Sequence, residues 1–473
     1  MRDFAISDNP AVQAQLDRLG ALILPQGRFG LETITALLTR LGDPQRRLPP
    51  TFHVAGTNGK GSTCAYLRAM LEAQGLTVHS ATKPHLVRYN ERIRIAGKLV
   101  EDDLLAALLA EVLDAGADLE PSFFEVTAAA AFLAFARIPA DACVIEVGLG
   151  GRFDATNVLE RPAACGIATL GIDHEAFLLR PEEGVPTVPL ERIAFEKASI
   201  AKPGVPLVTQ NYGIDLARTI MTVAKAAGSP VIMRGVHWRA QAGETIEYGD
   251  AQGKLSLPLP TLVGAHQADN AALAVAMLRH QDQVSVTPEA MAEGIRSAKW
   301  PARLQLLGEG PLTAMVPGRK VWLDGGHNPD AGVAIARFFG ADLAHGPSPF
   351  DRLRMSSGRA GFDSDPGSCP AQPEPVEGRP QQIHLIIGML ENKDPGALVA
   401  PLQGKLRSLS VVPAPGHLAH APEDFAPHTH LPVRGFGNVS DALASLPPDG
   451  HVLIAGSLYL AGEVLRLNRE LPD

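Results

Sequence analysis

Residues 51–63 read TFHVAGTNGKGST, and the way this stretch folds decides the architecture of the first half of the chain. A β-branched and aromatic run, TFHVA, meets three glycines and a lysine. Small hydroxyl residues follow, then a helical pattern with Cys64, Leu67 and Leu71 on one face. Strand, glycine-rich loop, lysine and helix in that order make an anion cradle. Glycines carry no Cβ, so successive N–H groups can converge on one anion. The helix N-terminus adds unpaired donors and partial positive charge, and the lysine adds a full charge for the outer phosphates. The bland alternative is a tight turn that happens to hold a lysine. The phosphate contacts expected of a nucleotide are therefore Gly56, Thr57, Asn58, Gly59, Lys60, Gly61 and Ser62. The loop is shorter than the usual P-loop spacing, and Gly61 stands where Ser or Thr normally follows the lysine. Ser62 or Thr63 takes over part of that role.

Working outward, ACVIEVG (142–148) and ACGIATLGI (164–172) are apolar runs of the length of strands buried on both faces. Such strands alternate here with helical patterns, among them ETITALLTRL (32–41), 102–113 and the capping box Ser122-Phe-Phe-Glu125. The fold class expected is α/β: an N-terminal P-loop ATPase domain with a mostly parallel sheet, plus a smaller C-terminal Rossmann-like α/β domain. A nucleoside triphosphate requires Mg²⁺, which takes oxygen ligands. Glu146, at the end of an apolar strand, would be costly there unless metal-bound. Asp173-His174 is expected to close the next strand in the same way, so both acidic strand ends point to one ligand-binding edge. Asp324-Gly-Gly-His327 repeats the pattern at the end of the first strand of the second domain.

A chain of 473 residues has the length of two or three domains, and its pattern divides into two. The boundary falls near 299–306, giving domains 1–299 and 306–473. Runs in 230–262 read as antiparallel hairpins, and 346–382, dense in Pro, Gly and Ser, reads as a disordered insertion. Hydrophobic residues make up 45% and the net charge is −9, with no Lys/Arg-rich run, which argues for a soluble protein and against a nucleic-acid partner. No apolar run has transmembrane length, and the start, MRDFAISDNPAVQ, lacks a secretory layout. Four scattered cysteines without C-x-x-C spacing fit a reduced, cytoplasmic protein.

Taken together, HVAGTNGKGS (53–62), PHLVRYNERIRI (84–95), FFEVT (123–127), VIEVGLGGRFDATN (144–157), GIDH (171–174), IAFEKASI (193–200), GAHQADNAALA (264–274), WPARLQ (300–305), LDGGHNPD (323–330) and GSLYLAG (456–462) resemble the folylpolyglutamate synthase/dihydrofolate synthase family, relatives of the Mur ligases. The resemblance implies ATP-dependent ligation of L-glutamate to a pterin carboxylate through an acyl phosphate, at a site between two domains, in folate biosynthesis and one-carbon metabolism. It implies that Glu146 and His174 bind Mg²⁺, and that Lys197 is a lysine often carbamylated and bridging to a second metal ion. Asn270 and Arg303 match ATP-contacting positions, and Asp324 a ribose contact. Lys60, His174, Lys197 and Arg303 are the catalytic set. A guanidinium at the domain hinge can stabilise charge on the transferring phosphate. His327 and Ser457 match positions proposed to hold glutamate. Phe124, Asp154 and Ala155 match dihydropteroate positions of bifunctional members, and Arg28 lies where the N-terminal pterin loop falls. Without the resemblance, Lys197 reads as a surface lysine, Asn270 as a helix cap, Ser457 as a turn residue and Phe124 as core.

Two features depart from the family. Lys83 in Lys83-Pro84-His85 replaces the usual serine, whose hydroxyl ligates Mg²⁺. An ammonium offers donors and no lone pair, so either water replaces the serine or Lys83 itself neutralises phosphate charge. LLRPEEGVPTVPLE also lengthens the segment between His174 and Lys197. Two other readings compete: a Mur-type amino-acid ligase of peptidoglycan synthesis, and a P-loop ATPase that ligates nothing. The two-domain plan points to a monomer acting on small molecules only.

Overall fold

The computed structural model describes residues 6–22, 30–173, 175–340 and 382–472. TFHVA forms β1 (Thr51–Ala55), buried along its whole length. Around it lie β2 (Val78–Ala81), β3 (Ile93–Ile95), β4 (Lys98–Leu99), β5 (Ala142–Glu146), β6 (Ala164–Ile167), β7 (Leu207–Thr209) and β8 (Val231–Met233). Among the described residues they make one eight-stranded sheet in the order β4-β3-β2-β5-β1-β6-β7-β8. All pairs are parallel except those made by β3 and β4. The apolar runs are continuous because the sheet's central strands are covered on both faces. Helices Pro10–Gly20, Glu32–Arg40, Asp102–Ala115 and Phe123–Arg137 close one face, with Leu37, Leu109, Phe132 and Ile145 in a shared core. Ser122 caps the last of these helices, accepting from Glu125 N at 3.3 Å while Glu125 Oε2 accepts from Ser122 N at 2.7 Å.

β9 (Trp238–Ala242), β10 (Ile246–Asp250) and β11 (Gly253–Leu257) form an antiparallel three-stranded sheet, as the alternating runs predict, but the start of the 230–262 segment is β8, a parallel strand of the large sheet. The last sheet contains β12 (Gln305–Leu306), β13 (Val321–Leu323), β14 (Ile383–Ile387), β15 (Leu406–Val411), β16 (Val433–Gly435) and β17 (His451–Ala455) in the order β12-β13-β17-β14-β15-β16. It is parallel apart from the β12–β13 pair. Its core joins Ile335, Leu385, Leu398, Leu409 and Leu453. The described chain forms two units, one of 6–261 with 268–298 and one of 262–267 with 299–472.

Two expectations need correction. The strand within 164–172 ends at Ile167, so Asp173 does not close it. From Ala168 the backbone leaves the sheet to cover the glycine-rich loop: Thr169 O accepts from Thr57 N at 2.6 Å, and Thr57 Oγ1 donates to Gly171 O at 2.8 Å. Asp324 follows the second strand of its unit, not the first, because the short antiparallel β12 precedes β13. The insertion read at 346–382 lies outside the described residues except for Gln382.

Close packing beneath the site gives a stability test. Gly294, in the helix Pro288–Ser297, lies against the helix Lys60–Ala73, and a Cβ there would stand 2.5 Å from Met70 Cα. Backbone cannot retreat as a side chain can. Gly294→Ala is expected to cost about 1–3 kcal/mol, the usual range for overpacking. An unfolding midpoint equal to the parent's would disprove that contact.

Candidate active site

The carboxyl ends of β1, β2, β5 and β6 meet at one edge of the large sheet, since Val54 pairs with Glu146, Ala81 with Ile145 and Ala55 with Ile167. The glycine-rich loop leaves β1 at that edge and enters the helix Lys60–Ala73. Gly59, the residue before the helix, has φ +82°, and a Cβ on it would collide with Asn270 Oδ1. Gly56 faces a similar limit, since its Cβ would stand 2.9 Å from that of Ala168. Both glycines thus let the loop lie close to neighbouring elements, and buried Asn270 sits beside it. Lys60 Nζ curls back to donate to Thr57 O at 3.1 Å. Ser62 and Thr63 are buried in the first helical turn.

Glu146 is 4% exposed and its Oε2 accepts from Lys83 N at 3.1 Å. Beyond β5 the chain runs through Gly148–Arg152 to Asp154 and Ala155, both buried. Asp154 Oδ2 accepts from the N–H groups of Gly148 and Leu149, each at 2.9 Å. Its Oδ1 accepts from Thr156 N at 3.0 Å and Thr156 Oγ1 at 2.5 Å. Burial alone would push this carboxyl up. The Lys83 charge and these donors outweigh burial and hold it below the usual carboxylate range. Thr156 spends its only hydrogen on Asp154, so His53 Nε2, 2.8 Å from Thr156 Oγ1, must be the protonated nitrogen. Burial, reinforced by the charges of Lys202 and Lys83, keeps the His53 ring neutral, its pKa pulled down to about 3 against Asp154.

Lys197 ends the helix Pro189–Ala198 and is 4% exposed. It is not the surface lysine that its sequence position suggests. Gly151 explains why: a Cβ there would stand 2.6 Å from Glu196 O and 3.1 Å from Lys197 Cα, so only glycine lets the 148–154 loop cover this helix end. Arg152 N donates to Glu196 O at 2.9 Å, and Arg152 and Arg192 both pair with the Glu196 carboxylate at 2.9 Å. Burial pushes the Lys197 ammonium down to about 7, and Lys60 pushes the same way, while Asp173, Asp154 and Glu196 pull it up. Lys60, Lys197, Asp154 and Asp173 therefore share one electrostatic neighbourhood. Phe124, in the first turn of the helix Phe123–Arg137, keeps 39% exposure and meets Phe123 edge-on at 5.3 Å, so it is not core.

The second unit gathers the remaining residues at the carboxyl end of its sheet. Asp324 Oδ2 accepts from Leu304 N at 2.8 Å and Oδ1 from Gly326 N at 2.6 Å, which anchors the turns on both sides. Arg303 Nη1 donates to Ala302 O at 2.8 Å. His327 Nδ1 lies 3.1 Å from Gly325 O. Ser457 Oγ accepts from Leu460 N at 3.1 Å, capping the helix Leu458–Asn468. Arg28 and His174 lie outside the described residues. Among the described residues, no three His, Cys, Asp or Glu side chains form a metal cluster. A hard oxygen donor at a phosphate cradle still suits magnesium, which keeps several waters and substrate oxygens of its own. Sequence reading missed His53 and Thr156, whose partners lie across the fold.

No family model matches the chain. The Escherichia coli dihydrofolate synthase/folylpolyglutamate synthase is 30% identical over 445 residues, 93% of this chain and 91% of that protein. The chain belongs to the dihydrofolate synthase/folylpolyglutamate synthase family. A probable bifunctional folylpolyglutamate synthase/dihydropteroate synthase of Halobacterium salinarum is 31% identical over 455 residues, and the chain spans about half of its length, 49%. A bifunctional folylpolyglutamate synthase/dihydrofolate synthase from Yersinia pestis, solved with AMPPNP and Mn ion, superposes with a TM-score of 0.76 at 26% identity, covering 96% of this chain and 97% of that one. Among the described residues, no helix is long and apolar enough to cross a membrane.

Proposed function

We propose that this protein is an ATP-dependent ligase joining the amine of L-glutamate to the carboxyl of dihydropteroate or of a reduced folate. The observation that carries the reading is one sheet edge bearing a lysine-tipped anion cradle, a buried carboxylate and a second buried lysine. Gly56, Thr57, Asn58, Gly59, Lys60, Gly61 and Ser62 hold the nucleotide's phosphates, with Asn270, Arg303 and Asp324 as further nucleotide contacts. Transfer of the terminal phosphoryl to the substrate carboxyl releases ADP and leaves an acyl phosphate. The glutamate amine then attacks that carbonyl, the amide forms and phosphate departs. Such transfer depends on positioning and charge neutralisation, which this cradle supplies. Glu146, with His174, would hold Mg²⁺, which when bound neutralises charge on the phosphates. Lys197, with an amine that loses its proton readily, is suited to carbamylation, which turns a cation into an oxygen donor for a second ion.

Phe124, Asp154, Ala155 and Arg28 line the pterin side, while His327 and Ser457 hold glutamate. The phosphate and pterin contacts belong to a domain of 1–299, while Asp324 and the glutamate contacts belong to one of 306–473. The protein is a cytoplasmic monomer working on small molecules in this reading, the monomer argued from its two-domain plan.

Release of ADP, followed with and without each substrate, tests the reading. Full turnover is expected only with glutamate plus a pterin acid, and parallel runs with dihydropteroate and tetrahydrofolate separate the two folate activities. ADP released at the full rate without either substrate would identify a non-ligating ATPase and overturn the proposal.

A further inference from the structure

Lys83 is the odd charge in this site. Its side chain is 7% exposed, and its ammonium makes no hydrogen bond among the described residues. The nearest carboxylate oxygen, Asp154 Oδ1, is 3.9 Å away, beyond hydrogen-bond reach. Asp154 pairs with it only through charge and offers its ammonium no hydrogen bond, because its four lone-pair positions already take four donors from its own loop: Gly148 N, Leu149 N, Thr156 N and Thr156 Oγ1. A buried ammonium with three unused donors is costly unless an acceptor enters. The side chain is also steered into place. Lys83 N donates to Glu146 Oε2 at 3.1 Å, and Gly148 leaves room above β5, where a Cβ would stand 3.1 Å from Lys83 Cδ and 3.3 Å from Nζ. The ammonium thus lies over the start of the Asp154 loop, on a residue whose backbone amide holds the carboxylate that ends β5, at the sheet edge that carries the glycine-rich loop.

We propose that Lys83 is a substrate-binding residue whose ammonium takes an oxyanion of the reacting pair, the terminal phosphoryl of the nucleotide or the carboxylate that receives it. The two share one chemistry and come together in the transfer step. The charge is fixed in the protein, so it neutralises the anion without a metal ion. This inference rests on the ligase reading of the site.

The test uses the full chain and Lys83→Met, which keeps the apolar stem and removes the charge. Binding of ATP and of ADP is measured in EDTA, and binding of dihydropteroate is measured without nucleotide. No turnover is needed. A charge-assisted hydrogen bond lost from the site weakens its ligand about tenfold to a hundredfold. Weaker ATP with unchanged ADP assigns the terminal phosphoryl, and weaker dihydropteroate with unchanged nucleotide assigns the carboxylate. Binding of all three ligands equal to the parent's overturns the proposal. Lys83→Gln enters the same assays should the methionine variant not fold. Failure of the ligase reading is separate, since the unsubstituted protein would then release ADP at the full rate without glutamate or a pterin acid, or not at all.

Discussion

Replacing Lys60 with methionine is expected to lower glutamate-dependent ADP release about a thousandfold while leaving the protein folded. Lys60 opens the helix Lys60–Ala73, and its Nζ reaches back over the loop to Thr57 O at 3.1 Å. That places a full positive charge where the outer phosphates of a nucleotide meet the loop's N–H groups. Removing a single preorganised donor at a developing negative charge typically costs 10²–10³ in rate, and a lost full charge belongs at the top of that range. The loop itself should survive the change. It is held by Thr57 N to Thr169 O at 2.6 Å and by Thr63 N to Gly59 O at 2.9 Å, neither of which needs the ammonium. Steady-state rates at saturating substrates, set beside an unfolding midpoint, decide the matter. A variant within threefold of the parent would remove Lys60 from the chemistry. The substitution has a second consequence, because the Lys60 charge helps to push the Lys197 ammonium down. Lys60→Met should therefore raise the Lys197 pKa.

The stretch at 51–63 shows how far local pattern carries. A buried strand, glycines and a lysine at a helix start are local facts, and the fold realises them as β1, a loop with Gly59 at positive φ and the helix Lys60–Ala73. Glu146 at a strand end was readable for the same reason, since an acid closing an apolar run is conspicuous. Non-local packing was not readable. Lys197 is buried because Gly151 lets a distant loop cover it, and nothing in IAFEKASI indicates that cover. The run 164–172 is apolar enough for a long strand, yet its second half bonds to the glycine-rich loop, and tertiary hydrogen bonds override strand propensity there. His53 reads as one more residue of a strand until Thr156 and Asp154 are seen to fix its tautomer.

Lys197 supplies the other large effect, and its sign can be worked out. Its ammonium is pulled from its ordinary 10.5 down to about 7 by burial, then by Lys60. In carbon-dioxide-free buffer, unfolded chains carry the proton up to about pH 10.5, while folded ones lose it near 7. Between those values the unfolded state binds more protons, so stability rises with pH through this window and is flat below it. Lys197→Met removes the titration. The parent should therefore gain unfolding midpoint relative to the variant from pH 7 to pH 9.5, and parallel curves would show that the amine is not depressed. The same shift governs reactivity, because only the neutral amine captures carbon dioxide. At a fixed concentration of dissolved carbon dioxide, its stimulation of ADP release should grow as pH rises through about 7. Lys197→Met should lose that stimulation together with about 10²–10³ of the rate, as expected when one charged group is taken from a transferring phosphate. If the variant keeps the parent's rate and its response to carbon dioxide, Lys197 is a buried structural lysine. The low pKa would then reflect only the tightness with which Gly151 lets the 148–154 loop cover the helix end.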